Sequence, residues 1–511
     1  MKLDFVKNTK RNIIAALINK GISMTFPFLR KTIFMWVLGA DYLGLNGLLY
    51  SILGMLMLAE LGFGQAIVCY MYKPVAEDNK DLLCAYLKFY RTIYRCVGLF
   101  IFAVGLCLMP FLPNLIHGKV PVDVNLYIVY FLHLVNTAVS YFLFAYRGSI
   151  LAAHHRNDIT NYIQVISAVL EIATITLVLY LTRSYYYYVF VTIAFSMVHN
   201  LILLYATNRL FPDVVPRGKL PSAEVKQVLI DVKAIIMHKV GTVVSRSFDN
   251  IAISAFLGLV AVAAYNNYHS ICLAVAGITG GICYAMKGGF GNKIYTESKE
   301  NTFSLLMNVN RMIICCVIWC SAMLMALYQP FMVVWTRGEP SLARHILTPL
   351  LMVVLYYEKQ ATETLRMFKT AAALWRQDRW KAIVASGANM IMNVTFILIF
   401  PDEYKLDGVI IATILTDIII QLPWESYVVF TKFFDGRQAQ AYWRSQMLYV
   451  MLAVLVVPAS WAVAYYIPLG GLWGVAVKGI ASAALAFLVL YCVFKKDVIH
   501  LLDILLHRKK G

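Results

Sequence analysis

Charged and polar residues recur at helical spacing within long apolar runs of this 511-residue chain. Lys20, Ser23, Pro27, Arg30 and Lys31 fall three or four positions apart, so a helix carries them on one face, with a proline break in the middle. His238, Lys239, Thr242, Ser245, Arg246 and Asp249 repeat the arrangement, and Arg246 and Asp249 are one turn apart, within reach of pairing. Two basic stripes of this kind suit the walls of a cavity that receives an anion. Guanidinium binds phosphate oxygens bidentately, and the attraction strengthens away from water. Arg30, Arg246, Lys20, Lys239, Lys31 and Asp249 are therefore the substrate-binding candidates. For Lys20 and Lys239 the alternative is snorkelling to the inner interface, and Lys31 reaches the outer headgroups equally well. Glu60 and Glu171 are lone carboxylates in apolar runs, placed either as helix-packing hydrogen-bond partners or as proton-coupling groups.

Other chemistry is missing. No glycine-rich phosphate loop ends in Lys-Ser or Lys-Thr, and neither a His-Glu-x-x-His helix nor a nucleophile elbow occurs. The ten cysteines lack zinc or redox spacing, and His154-His155 has no further ligands nearby in sequence. The expectation from these motifs is that the chain is not an enzyme, with no catalytic residue, cofactor or metal.

The elements that must position these residues are membrane helices. Apolar residues make up 60% of the chain and charged ones 14%, and the mean hydropathy is +0.69. Soluble domains carry about a quarter charged residues. About fourteen apolar stretches are long enough to cross a hydrocarbon core, and backbone groups in lipid must be paired internally, so an all-α integral membrane protein is predicted. The net charge of +18 does not point to nucleic acid. With the N-terminus inside, roughly 31 Lys and Arg fall on the cytoplasmic side against roughly 4 outside, which is the positive-inside pattern and makes anionic membrane lipids the neighbours of the basic segments. Lys2, Lys7, Lys10 and Arg11 at one end and Lys495, Lys496, Arg508, Lys509 and Lys510 at the other both lie on that side, as an even number of spans requires. The first apolar segment has no small-residue cleavage site and reads as a retained helix. Tyr185 to Tyr188, at an expected outer boundary, fit an interfacial aromatic belt, and Gly277 with Gly281 fit close helix packing.

The chain repeats itself at an offset of 219 to 220 residues. Lys20 matches Lys239, Gly39 matches Gly258, Ser51-Ile52 matches Ser270-Ile271, Pro110-Phe111 matches Pro330-Phe331, Arg147 matches Arg366, and Arg156-Asn157-Asp158 matches Arg376-Gln377-Asp378. Two parallel, pseudo-symmetric six-helix lobes around a central cavity follow, at residues 1–206 and 235–430. Between them, residues 207–234 read as a cytoplasmic linker whose Ser222 to Lys233 run forms an amphipathic surface helix. Two extra transmembrane helices at 431–494 and a basic tail at 495–511 complete the plan.

Several segments carry a family likeness. Leu58-Ala59-Glu60-Leu61-Gly62-Phe63-Gly64-Gln65-Ala66-Ile67 through Tyr72-Lys73-Pro74-Val75 resembles the second-helix signature of Wzx-type flippases, in the polysaccharide transporter branch of the multidrug/oligosaccharidyl-lipid/polysaccharide superfamily. The stretch from Ser247 to Leu259 and Tyr265-Asn266-Asn267-Tyr268 are similar to its seventh and eighth helices, and Phe290-Gly291-Asn292-Lys293 and Gln329-Pro330-Phe331 extend the likeness. Trp335-Thr336-Arg337 departs from the Trp-Leu-Gly pattern of the family. The resemblance, from about Ile13 to about Phe434, implies a bacterial cytoplasmic-membrane protein with both termini inside. By alternating access it would carry undecaprenyl-pyrophosphate-linked oligosaccharide repeat units to the outer leaflet for surface polysaccharide synthesis. A polymerase and glycosyltransferases of the same pathway are the implied partners. A lipid-linked peptidoglycan precursor flippase and a small-molecule antiporter are the alternatives within the superfamily, and a membrane polymerase is disfavoured by the short outer loops. Cysteines introduced singly at Lys119 and Arg337 are expected to react with an impermeant thiol reagent from outside, and those at Arg217 and Arg376 only from inside; the reverse pattern inverts the topology.

Overall fold

The computed structural model describes residues 5–506 apart from 61, 119, 375 and 379. Helices account for nearly all of it, and no strand occurs among the described residues. The chain divides into two compact units, Met1–Ala263 and Ala264–Gly511.

The first unit contains α1 (Phe5–Leu38), α2 (Ala40–Leu56), α3 (Phe63–Ala76), α4 (Lys80–Leu108), α5 (Leu126–Phe142), α6 (Gly148–Ala153), α7 (Asn157–Thr182), α8 (Tyr185–Leu210) and α9 (Ser222–Leu257). Side chains close the ends where the backbone meets water: Asn79 accepts from the Leu82 amide at the start of α4, and Asn125 accepts from Tyr127 and Ile128 at the start of α5. Within the unit α1 packs on α7, α7 on α8, α4 on α5 and α2 on α9. The second unit holds α10 (Leu259–Thr296, from Ala264 on), α11 (Lys299–Trp335), α12 (Leu347–Ala361), α13 (Glu363–Ala371), α14 (Lys381–Ile399), α15 (Lys405–Thr416), α16 (Leu422–Lys432), α17 (Gly436–Tyr466) and α18 (Gly471–Leu506). Here α11 is the hub, packed by α12, α17 and α18. A five-residue π segment, Asp417–Gln421, joins α15 to α16.

Among the described residues, nine helices are long and apolar enough to cross a membrane, or up to ten if the bent pair Leu126–Phe142 and Ala145–Ala153 counts as one span. The fourteen expected spans include stretches such as α1 and α9, whose basic residues lower their hydropathy, and α2 with α3, which are separated by the short turn Met57–Glu60. The Ser222 to Lys233 run is not a separate surface helix. It is the first third of the 36-residue α9, tied to the first unit by hydrogen bonds from Tyr70 to Asp231 and from Tyr86 to Glu224. The preceding linker is fastened by Lys80–Asp213 at 2.8 Å and Arg217–Asp81 at 3.1 Å, and the Lys80 ammonium holds the Asp213 carboxyl below its ordinary range, chiefly through their hydrogen bond. The seventh helix, expected to open the second lobe, therefore belongs by packing to the first unit. Tyr185 and Tyr188 are buried, leaving Tyr187 as the exposed member of the expected aromatic belt. Nor does Gly281 mediate close packing, because a Cβ there would meet nothing within 4 Å.

The sequence offset extends to the backbone. Gly39, between α1 and α2, and Gly258, before α10, adopt φ 104°, ψ −178° and φ 87°, ψ 177°, a conformation open essentially to glycine alone. Gly118 and Gly338, 220 residues apart, share positive φ at +88° and +76°. Gly44 serves a different purpose: a Cβ there would stand 1.8 Å from the Leu259 carbonyl oxygen. Gly44→Ala is therefore expected to cost about 1–3 kcal/mol through overpacking. Thermal unfolding of the purified chain should show a lowered midpoint for this variant and little change for Gly387→Ala, where the space is open.

Candidate functional site

The helix α1 lies along α7 through a file of polar contacts. Asn12 donates to the His155 carbonyl at 2.9 Å and accepts from the Asp158 amide at 2.7 Å. Asn19 donates to Asn161 at 3.0 Å and to Gln164 at 3.1 Å. Farther along, Arg30 Nη2 meets Glu171 Oε2 at 2.7 Å. The binding candidate Arg30 and the coupling candidate Glu171, unrelated in sequence, thus form one ion pair. Both remain partly accessible, at 28% and 17% of their side-chain surface. Tyr188 lies within electrostatic reach of Arg30, and its ring packs edge-on against Phe34 with centroids 4.7 Å apart. Tyr50 lies within electrostatic reach of the same guanidinium.

Lys31 follows Arg30 directly and lies within electrostatic reach of Arg246 on α9. The structure consequently brings Lys31 of one stripe within electrostatic reach of Arg246 of the other, both in the first unit. Arg246 is exposed, while Asp249, one turn on, is buried and engaged. Lys20 is exposed, and Ser23 donates back to the Lys20 carbonyl at 3.0 Å, spending its hydroxyl on its own helix. The side chains of Lys239, His238 and Thr242 lie outside the described residues, as do the terminal residues Lys2, Arg508, Lys509 and Lys510 and the loop residue Lys119.

Glu60 occupies a different environment. It ends the turn Met57–Glu60 between α2 and α3, and its two carboxylate oxygens accept hydroxyls from Tyr94 and Tyr141. Tyr90 donates to Tyr94 at 3.0 Å, completing a tyrosine cage. A carboxylate accepting two phenolic hydroxyls fastens the break in the second helix to α4 and α5.

A larger polar assembly in the second unit escaped the sequence reading. Lys359 pairs with Asp417 at 3.2 Å; Arg366 stands 3.7 Å from Glu363 and 3.5 Å from Glu425. Lys369 bonds to Asp378 and stands 3.4 Å from Glu425, and Lys381 bonds to Glu425 with Asp378 at 3.6 Å. Asp378, Asp417 and Glu425 are at most 5% exposed. The signal was present: Asp417 and Glu425 are lone carboxylates in an apolar run, like Glu60 and Glu171, and Glu363, Arg366 and Lys369 recur every three residues. No group of three metal-ligating side chains occurs among the described residues.

The fold has relatives of known structure. A lipid II flippase MurJ in an inward closed conformation superposes with a TM-score of 0.64 at 14% identity, covering 96% of this chain and 99% of that one. An inward-facing multidrug resistance MATE family transporter of the MOP superfamily superposes with a TM-score of 0.58, also at 14% identity, covering 81% of this chain and 98% of the transporter. The outward-facing conformation of such a transporter gives 0.51 at 14% identity over 83% and 94%. No curated protein matches the sequence. A family described as "Polysaccharide biosynthesis protein" matches residues 9–286. The nearly all-helical architecture is thus that of flippases and transporters.

The Arg30–Glu171 pair allows a direct test of what the site contributes to folding. Arg30→Ala leaves a half-buried carboxylate without its guanidinium, so the loss of stability should exceed that of Glu171→Gln. A thermal-unfolding double-mutant cycle is expected to return a coupling of roughly 1–3 kcal/mol. Strictly additive losses would show that the pair contributes nothing.

Proposed function

The chain belongs to the polysaccharide biosynthesis protein family, and from that premise we propose that it flips a lipid-linked oligosaccharide carrying an anionic pyrophosphate headgroup from the inner to the outer leaflet of the bacterial cytoplasmic membrane. The observation that carries this reading is that Lys31, next to Arg30 on α1, lies within electrostatic reach of Arg246 on α9. Lys31 and Arg246 repel each other, and an anion placed between like charges relieves that repulsion as well as gaining its own attraction. Arg30 offers a guanidinium already committed to Glu171, so phosphate binds there by exchanging one oxyanion for another and avoids stripping a bare cation of water.

Glu171 then acts as the partner that holds Arg30 between substrates, and Glu60 as a fastener of the second helix. Outward movement of a negative charge is favoured by an inside-negative potential at about 2.3 kcal/mol per charge per 100 mV, which supplies a driving force without a nucleotide site. The polysaccharide assignment favours an oligosaccharide repeat unit as cargo. The second reading, a lipid-linked peptidoglycan precursor, is favoured by the fold of the lipid II flippase.

Reconstituted protein and a fluorescent lipid-linked oligosaccharide test both readings. Arg246→Ala and Lys31→Ala are expected to slow translocation at least about tenfold, the equivalent of 1.4 kcal/mol, while the melting temperature stays within a few degrees. Arg246→Lys should recover only part of the rate, because a point charge lacks the guanidinium fork. Full-rate transport in both alanine variants would sink the anion-site reading, and preferential transport of the peptidoglycan precursor would exchange the cargo.

A further inference from the structure

The helix Asp402–Lys432 has two faces with different tasks. Its inner face carries Asp417 and Glu425, buried and clamped: Asp417 by Lys359 at 3.2 Å and by the Gln421 amide, Glu425 by Lys381, with Lys369 and Arg366 at 3.4 and 3.5 Å. On the outer face is a cavity of 620 Å³, within the range of sites that hold a small molecule. Ile419, Ile420, Trp424 and Tyr427 form its apolar wall, with Lys432 and Gln377 as polar members.

The two faces are mechanically linked. Ile419 and Ile420 belong to the π segment Asp417–Gln421, where the extra residue per turn displaces the helix surface. Gln377 sits in the turn whose next residue, Asp378, is bonded by Lys369. Ion pairs therefore set both the helix and the turn that bound the cavity, so this is a built wall and not a chance gap. Ile419 is 57% and Tyr427 64% exposed, on a helix apolar enough to span a membrane, so the medium that reaches the cavity is lipid. Aromatic side chains beside a lysine mark headgroup depth, and the positive-inside pattern puts the Lys432 end in the cytoplasmic leaflet.

We propose that this cavity binds an anionic glycerophospholipid, its phosphate against Lys432 and Gln377 and an acyl chain along Ile419, Ile420, Trp424 and Tyr427. A membrane-surface lysine contributes about 1 kcal/mol towards an anionic headgroup, or about a fivefold preference over a zwitterionic lipid. The proposal is independent of the cargo and of transport itself, because occupancy is read without flipping.

The full chain in nanodiscs, labelled with phosphatidylglycerol or phosphatidylethanolamine bearing a photoreactive acyl chain, tests the site. Phosphatidylglycerol is expected to label the 417–432 segment about fivefold more than phosphatidylethanolamine. Lys432→Gln should abolish the preference, Lys432→Arg should keep it, and Trp424→Ala, which leaves the headgroup contact in place, should lower labelling by both lipids. Equal labelling by the two lipids, a preference that survives Lys432→Gln, or stronger labelling by a photoreactive polyprenyl phosphate would each overturn the proposal.

Discussion

A charge carried into hydrocarbon must find a counter-charge, a hydrogen-bond donor or water, and that requirement organises the polar interior of both units. Each deep carboxylate is answered in a different way. Glu171 takes the Arg30 guanidinium, Glu60 takes two tyrosine hydroxyls, and Asp417 and Glu425 enter a network of lysines and an arginine. A buried ion pair gains little net stability over a packed apolar pair, but removing one partner is severe because the other charge remains. Such contacts therefore specify which helices meet, while the apolar surface around them supplies most of the adhesion.

The consequences differ between the units. In the first, the Arg30 guanidinium is answered by the single carboxylate of Glu171, with Lys31 next to it in the chain. In the second, Glu358, Glu363, Asp378, Asp417 and Glu425 face Lys359, Arg366, Lys369 and Lys381, with charges mostly spent on one another. Glycines of positive φ recur at the sequence offset, at 39 and 258 and at 118 and 338, yet the polar interiors of the two units are chemically distinct.

Composition and apolar run length determined by themselves that this is a helical membrane protein, because in lipid the backbone leaves almost no other choice. The internal offset was legible for a similar reason: a conformation restricted to glycine keeps its residue type when much else changes. The stripe that bears Arg30 and Lys31 was legible as well, since helical spacing alone puts those side chains on one face.

Tertiary structure decided the partners. Whether Arg30 met water, phosphate or Glu171 depended on α7 lying against α1, 141 positions away in sequence by the difference between the two residue numbers. That Tyr185 and Tyr188 turn inwards, while Tyr187 turns outwards, depended on what α8 packs against, since the identities of four consecutive tyrosines do not say which side faces the bundle. The amphipathic run Ser222 to Lys233 carried no mark of its continuity with the span after it; Asp231 and Glu224 read as solvated charges until Tyr70 and Tyr86 came within reach. Local patterns express what one helix prefers, whereas an ion pair between distant residues depends on a geometry created only when the helices assemble.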